Sequence, residues 1–130
     1  MDSQEGTLIA LLEQKVGRGV SAAQVAATVA AMWRHAEEGL VPVIGPQGVV
    51  ALYQRSLLLT SRAHPWLAGL GQIVPQTVDL EGLTAALAQQ ESIDAARAGG
   101  ELLQTFHGLV NGLIGSSLTR RLLRHMWQTF

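Results

Sequence analysis

The chain has 130 residues, of which 48% are hydrophobic and 15% charged, with no cysteine and a formal net charge of -1. Charged residues make up about a quarter of an ordinary soluble domain, so this chain of single-domain length carries unusually few of them. The composition excludes intrinsic disorder, a disulfide-stapled scaffold and a zinc domain built on cysteine, and the balanced charge excludes a chain that binds nucleic acid by bulk electrostatics.

Helical periodicity dominates the sequence, and no segment alternates as a half-buried strand does. The first helix is predicted over residues 4–16. The second begins after Ser21, because Ser21 and Gln24 have the spacing of a capping box. It is predicted to end at Gly39, since glycine commonly follows the last helical turn.

The third predicted helix is the most apolar of the chain. Pro46 suits its first position, where no amide partner is needed, and Pro65 ends it. Residues 40–44 before it are interpreted as a connector, because they contain Pro42. Apolar side chains nearly encircle the helix over residues 46–63, which predicts that it is the central element of the fold.

The rest of the chain also has a helical pattern. Residues 65–76 are predicted to form a loop or a single turn, and Asp79 can cap a short helix over residues 80–89. The longest helix is predicted over residues 92–114 and the last over 118–128. These elements predict an all-α, single-domain bundle of five to six helices packed around the third.

One short similarity links two parts of the chain. Ile-Gly precedes an arginine-bearing helix at residues 44–45 and again at residues 114–115. In the sequence alone this similarity is short enough for chance to explain, so no internal repeat is predicted.

The longest helix carries a histidine at the border between its apolar and polar faces. The segment 106–112 around it resembles the histidine phosphotransfer domains, which carry His-x-Leu-Lys-Gly on a four-helix bundle. His107 and Leu109 match that pattern, whereas Val110 stands in the place of the lysine and the glycine comes one residue later, at Gly112. The resemblance implies an alternative function as a signalling domain that accepts a phosphoryl group on His107.

Two glycines of the same helix lie on its polar face. Gly108 and Gly112 form a Gly-x-x-x-Gly pair, with Asn111 beside them. Glycine inside a helix costs about 1 kcal/mol relative to alanine, so two of them on one face call for a reason. Close approach of another helix, from this chain or from a second copy, is the reason we favour over neutral drift.

The polar stripe of the third helix contains two arginines, Arg55 and Arg62. A guanidinium group among leucines needs an anionic or carbonyl partner. An internal ion pair is the preferred interpretation of these residues. If the internal partner is missing, a small anionic ligand could bind near Arg55, Arg62 and Trp66.

The sequence contains no motif for a catalytic, phosphate-binding or metal site. No nucleophile elbow or phosphate-binding glycine loop is present, and the four histidines are dispersed, so we expect no catalytic residue, metal or other cofactor. Asp2 and Glu5 stand where a signal peptide would be basic. The basic segment 118–127 could lie on an anionic membrane, although packing on the domain is the simpler interpretation, and a cytoplasmic location is expected.

These observations favour a non-enzymatic helical interaction or regulatory module of bacterial type. Its expected partner is another protein or a second copy of the chain, with contacts at Gly108, Asn111 and Gly112. The two alternatives are the phosphotransfer domain and the sensor of a small anion.

Overall fold

A computed structural model of the protein describes residues 10, 13–14, 17–70 and 78–124. The described residues form four α-helices, which we label α1 (Ala22–Thr60), α2 (Leu80–Ala88), α3 (Ser92–Ile114) and α4 (Ser116–Leu122). A 3-10 turn at Pro65–Leu67 follows α1. The all-α class is confirmed, whereas the predicted number of five to six helices is wrong for this part of the chain. The predicted first helix lies mostly outside the described residues.

Local capping fixes where two of the helices begin. The Ser21 hydroxyl accepts a hydrogen bond from the Gln24 amide at 3.2 Å, and the Gln24 side chain accepts one from the Ser21 amide at 2.9 Å. Asp79 caps α2 by accepting a hydrogen bond from the Gly82 amide at 3.0 Å. Both caps satisfy helix amides that have no partner within the helix, and both predictions are confirmed.

Helix α1 is kinked once, at Gly45. The φ of this residue is 79° and its ψ is 163°, a conformation that glycine adopts at little cost. The kink divides α1 into a first limb, residues 22–44, and a second limb, residues 46–60. Pro46 opens the second limb, as predicted.

The prediction that a helix ends at Gly39 is therefore wrong. Residues 40–44, which were interpreted as a connector, are helical. Pro42 is accommodated within this last turn of the first limb. Gly39 serves packing instead, because a Cβ atom built on it would collide with the backbone carbonyl oxygen of Leu122. The absence of a side chain lets α4 lie directly against the first limb.

Helices α3 and α4 repeat the geometry of the two limbs of α1. Gly115 joins them with φ 87° and ψ 156°, close to the angles of Gly45, which lies 70 residues earlier. The same spacing relates the extended residues that precede each unit, Ser21 and Glu91. The Ile-Gly similarity in the sequence therefore falls at the kinks of two helix–glycine–helix units.

The pattern of buried residues also recurs after 70 residues. Eight buried positions of the first limb each have a buried counterpart in α3. In order, they are Val25, Ala26, Val29, Ala30, Met32, Trp33, Ala36 and Leu40 in the first limb, and Ala95, Ala96, Gly99, Gly100, Leu102, Leu103, Phe106 and Val110 in α3. The two equivalent helices thus use equivalent faces to build the core.

The first limb and α3 contact each other directly and run in the same direction. A Cβ atom built on Gly99 would lie 2.7 Å from Cγ2 of Val29. Further along both helices, the rings of Trp33 and Phe106 lie 4.5 Å apart, centre to centre. The second contact lies closer to the carboxyl end of both helices than the first does. The two carboxyl ends, and the glycine kinks that follow them, therefore lie at one end of the molecule.

The prediction that helix 46–63 is the central element is wrong. Leu58 is 55% exposed, and Arg55 and Arg62 are exposed on the same side. Only one face of the second limb enters the core, through residues such as Val49, Tyr53 and Leu57. The core lies between the first limb and α3, where both helices bury small residues.

Two glycine substitutions test this packing. Gly39→Ala should lower the free energy of unfolding by about 1–3 kcal/mol, because the new methyl group overlaps a backbone carbonyl. Gly112→Ala is the matched control, since no described residue lies within 4 Å of its Cβ position. It should raise the free energy of unfolding by about 1 kcal/mol through helix propensity alone. Urea unfolding of the dilute protein measures both, and equal effects of the two substitutions would contradict the packing at Gly39.

Candidate functional site

The two segments that carry the kinks contain no charged residues. Residues 39–54 and 108–119 contain no Asp, Glu, Lys, Arg or His. We call the surface of these two segments the charge-free end. Its exposed residues are Pro42, Val43, Pro46, Gln47, Ala51, Gly108, Gly112, Leu113, Gly115, Ser116 and Ser117.

Two large apolar side chains project from the charge-free end. Val43 is 47% exposed and Leu113 is 59% exposed. They occupy equivalent positions in the two units, two residues before each kink glycine. Exposed apolar side chains are ordinary when single, but here they share a surface that has no charge.

The glycine pair predicted as a contact lies on this surface. Gly108 and Gly112 are exposed, and no described neighbour comes within 4 Å of a Cβ built on Gly112. Asn111 is half-buried, and its Oδ1 atom accepts no hydrogen bond from the described residues. The described part of this chain thus supplies no helix against Gly112, and contact with a second chain stays a prediction.

His107 does not lie at a helix border as the sequence suggested. It is buried, with 2% of its surface exposed. A phosphoacceptor imidazole must be reached by the active site of a partner. The expectation that a partner could reach His107 is therefore wrong, because the residue faces the core between α3 and its neighbours.

A groove of about 410 Å³ separates the end of α1 from α3. Residues from α1 and the turn after it form one wall, and residues of α3 form the other. The lining residues are Leu59, Thr60, Arg62, Ala63, Glu101, Gln104, Thr105 and Gly108. Of the three residues predicted for an anion site, Arg62 lines this groove, whereas Arg55 and Trp66 do not.

A short hydrogen-bond contact is made by Glu101, one of the residues that line this groove. Nε2 of His64 lies 2.7 Å from Oε2 of Glu101, and the two side chains are 17% and 40% exposed. The contact ties the end of α1 to α3. Sequence reasoning missed it, since 37 residues separate the partners and no local spacing rule connects them. The Trp66 ring packs near His64, with 6.3 Å between ring centres.

The internal ion pairs expected for Arg55 and Arg62 are not present among the described residues. Both side chains are exposed rather than buried among leucines. A guanidinium group in water needs no protein partner. The expectation was wrong because it assumed that other helices cover this side of the second limb.

The buried Tyr53 lies near several ionisable groups that are only partly buried or exposed. Tyr53 is 2% exposed, and its hydroxyl group has no hydrogen-bond partner among the described residues. Burial raises the pKa of Tyr53 well above its ordinary value, and the negative charges of Asp79 and Glu37 raise it further. Burial also raises the pKa of Glu37, and nearby Arg34 partly offsets that rise.

Two other kinds of site can be assessed in the described residues, a metal site and a membrane-spanning helix. No group of three His, Cys, Asp or Glu residues in that part of the chain could hold a metal ion. No helix within it is long and apolar enough to cross a membrane. These findings leave the groove and the charge-free end as the candidate sites.

Comparison with known proteins gives no relative for this chain: no protein family, curated protein or solved structure matches it.

The buried tyrosine gives a spectroscopic test of the core. Because Tyr53 is the only tyrosine, ultraviolet absorbance reports its ionisation alone. The raised pKa means that the unfolded state loses this proton first, so the free energy of unfolding should fall as pH rises above about 10. Tyrosinate should therefore appear together with the loss of helical circular dichroism. A tyrosinate signal at pH 10 in the fully helical protein would contradict the buried position.

Proposed function

We propose that the chain is a non-enzymatic helical interaction module that self-associates through its charge-free end, in a cytoplasmic protein of bacterial type. The observation that carries the proposal is the exposed position of Gly112 and Leu113 on a surface without charge.

The chemistry of this surface suits a second copy of the chain. A charged surface commonly repels its own copy, whereas a neutral surface does not. Bare glycines let two helix backbones approach closely. In a two-fold dimer the same patch meets itself, so each favourable contact is made twice.

The two exposed apolar side chains would supply the driving force. Fully burying a leucine or valine side chain contributes about 1.5–3 kcal/mol. Leu113 and Val43 are about half exposed, so each would contribute part of that amount in each copy. This contribution suits a reversible dimer that is held by few contacts.

The expected dimer can be tested by sedimentation velocity with a pair of matched variants. Leu113→Lys places a charge on the charge-free end and should convert the dimer into a monomer, because the buried ammonium group would lack a partner. Leu58→Lys makes the same change at a residue of similar exposure outside that end. It should leave the dimer intact.

Three results would contradict the proposal. The wild-type chain could sediment as a monomer at every concentration. Both lysine variants could weaken the dimer equally, or Leu58→Lys alone could weaken it. Circular dichroism of each variant controls for folding, which both exposed substitutions should preserve.

A further inference from the structure

The groove between α1 and α3 is lined by two residues of opposite charge that form no ion pair with each other. Arg62 and Glu101 both line it, yet no salt bridge within 4.0 Å joins them. From this arrangement we propose that the groove binds a zwitterionic small molecule, an aliphatic α-amino acid, with its carboxylate on Arg62 and its ammonium group on Glu101.

The size of the groove fits such a ligand. Its volume of about 410 Å³ falls near the lower end of the range of small-molecule sites, about 300–1,000 Å³. Gly108 lies at the opposite end of the α3 wall from Glu101 and adds no side chain there. An amino acid of moderate size therefore has room in the groove.

Glu101 is held in place for this role. His64 contacts one carboxylate oxygen, Oε2, at 2.7 Å, and this contact restricts the rotation of the side chain. A carboxylate has a second oxygen and can accept hydrogen bonds from more than one donor. An ammonium group, with its three donors, can therefore bind Glu101 while the histidine stays in contact.

Arg62 supplies the matching cation. The planar guanidinium group presents paired donors that fit the two oxygens of a carboxylate. Its side chain is exposed and forms no ion pair with the described residues. It can therefore bind a ligand carboxylate without first breaking an internal contact.

The pair of charges selects for a ligand that carries both signs. Glu101 would repel a simple carboxylate, and Arg62 would repel a simple amine, because like charges at close range are unfavourable. Leu59 and Ala63 lie on the α1 wall and provide an aliphatic surface. These walls favour an aliphatic side chain on the ligand.

Two polar groups lie beside the charged pair. Thr60 is 4% exposed, and neither its hydroxyl oxygen nor Oε1 of Gln104 has a hydrogen-bond partner among the described residues. Both residues line the groove. Unsatisfied polar atoms of this kind are uncommon in folded proteins, and a bound ligand with polar groups is one way to satisfy them.

Isothermal titration calorimetry with L-leucine tests the proposal on the full chain. L-Leucine should bind with saturable heat, and 4-methylpentanoate and isopentylamine, which lack one charge each, should bind at least about tenfold more weakly. Arg62→Gln should abolish binding. Arg55→Gln is the matched control, since Arg55 is exposed on the same helix but does not line the groove, and it should bind L-leucine as the wild type does.

Several outcomes would overturn the assignment. No saturable heat with L-leucine, equal binding of the three compounds, or unchanged binding to Arg62→Gln would each do so. Glu101→Gln should also lose binding, and circular dichroism shows whether that variant keeps its fold. Sedimentation of Arg62→Gln should match the wild type, so a failure here is distinguishable from a failure of self-association.

Discussion

The direct contact between the first limb of α1 and α3 is the constraint on which the rest of the structure depends. Because Gly99 has no side chain, Val29 fits into the space that a Cβ would occupy. This approach brings Trp33 to 4.5 Å from Phe106 and 4.9 Å from Tyr53, measured between ring centres. Edge-on aromatic packing of this kind adds to the stabilisation from burial alone.

The close packing of these rings leaves two polar groups without hydrogen bonds to the described residues. The Trp33 indole nitrogen and the Tyr53 hydroxyl are buried without partners among the described residues. A buried unsatisfied polar group costs about 1–3 kcal/mol. The apolar area that three large rings remove from water offsets that cost, and the fold therefore depends on the small residues that let the helices meet.

The parallel course of these two helices also brings two charge-free segments to one end of the molecule. Both helices must reverse at the same end, and each does so at a glycine with positive φ. The segments around Gly45 and Gly115 contain no charged residues. Part of the low charge of the chain therefore falls on one surface, and this surface is suited to an interaction.

Local signals in the sequence predicted much of the fold. The caps at Ser21 and Asp79 and the bounds of the helix Ser92–Ile114 were predicted correctly, because capping and periodicity depend on neighbouring residues. Gly39 was misinterpreted, since a helix end and a close contact with another helix use the same residue type. Only the position of Leu122 distinguishes the two roles.

The candidate sites were predictable only in part. The exposed face with Gly108 and Gly112 follows from helical periodicity. The groove does not, because His64 and Glu101 meet through the tertiary fold. The apolar composition of residues 46–63 suggested a covered helix, but composition does not show that Leu58 faces solvent.

The most direct test of self-association through the charge-free end is disulfide trapping. The chain has no cysteine, so Gly112→Cys introduces a single thiol at the proposed interface and Arg97→Cys introduces one on an exposed part of α3 outside it. Under mild oxidation, the account predicts rapid formation of a covalent dimer by Gly112→Cys and slow formation by Arg97→Cys. Equal rates for the two variants, or faster trapping of Arg97→Cys, would contradict it.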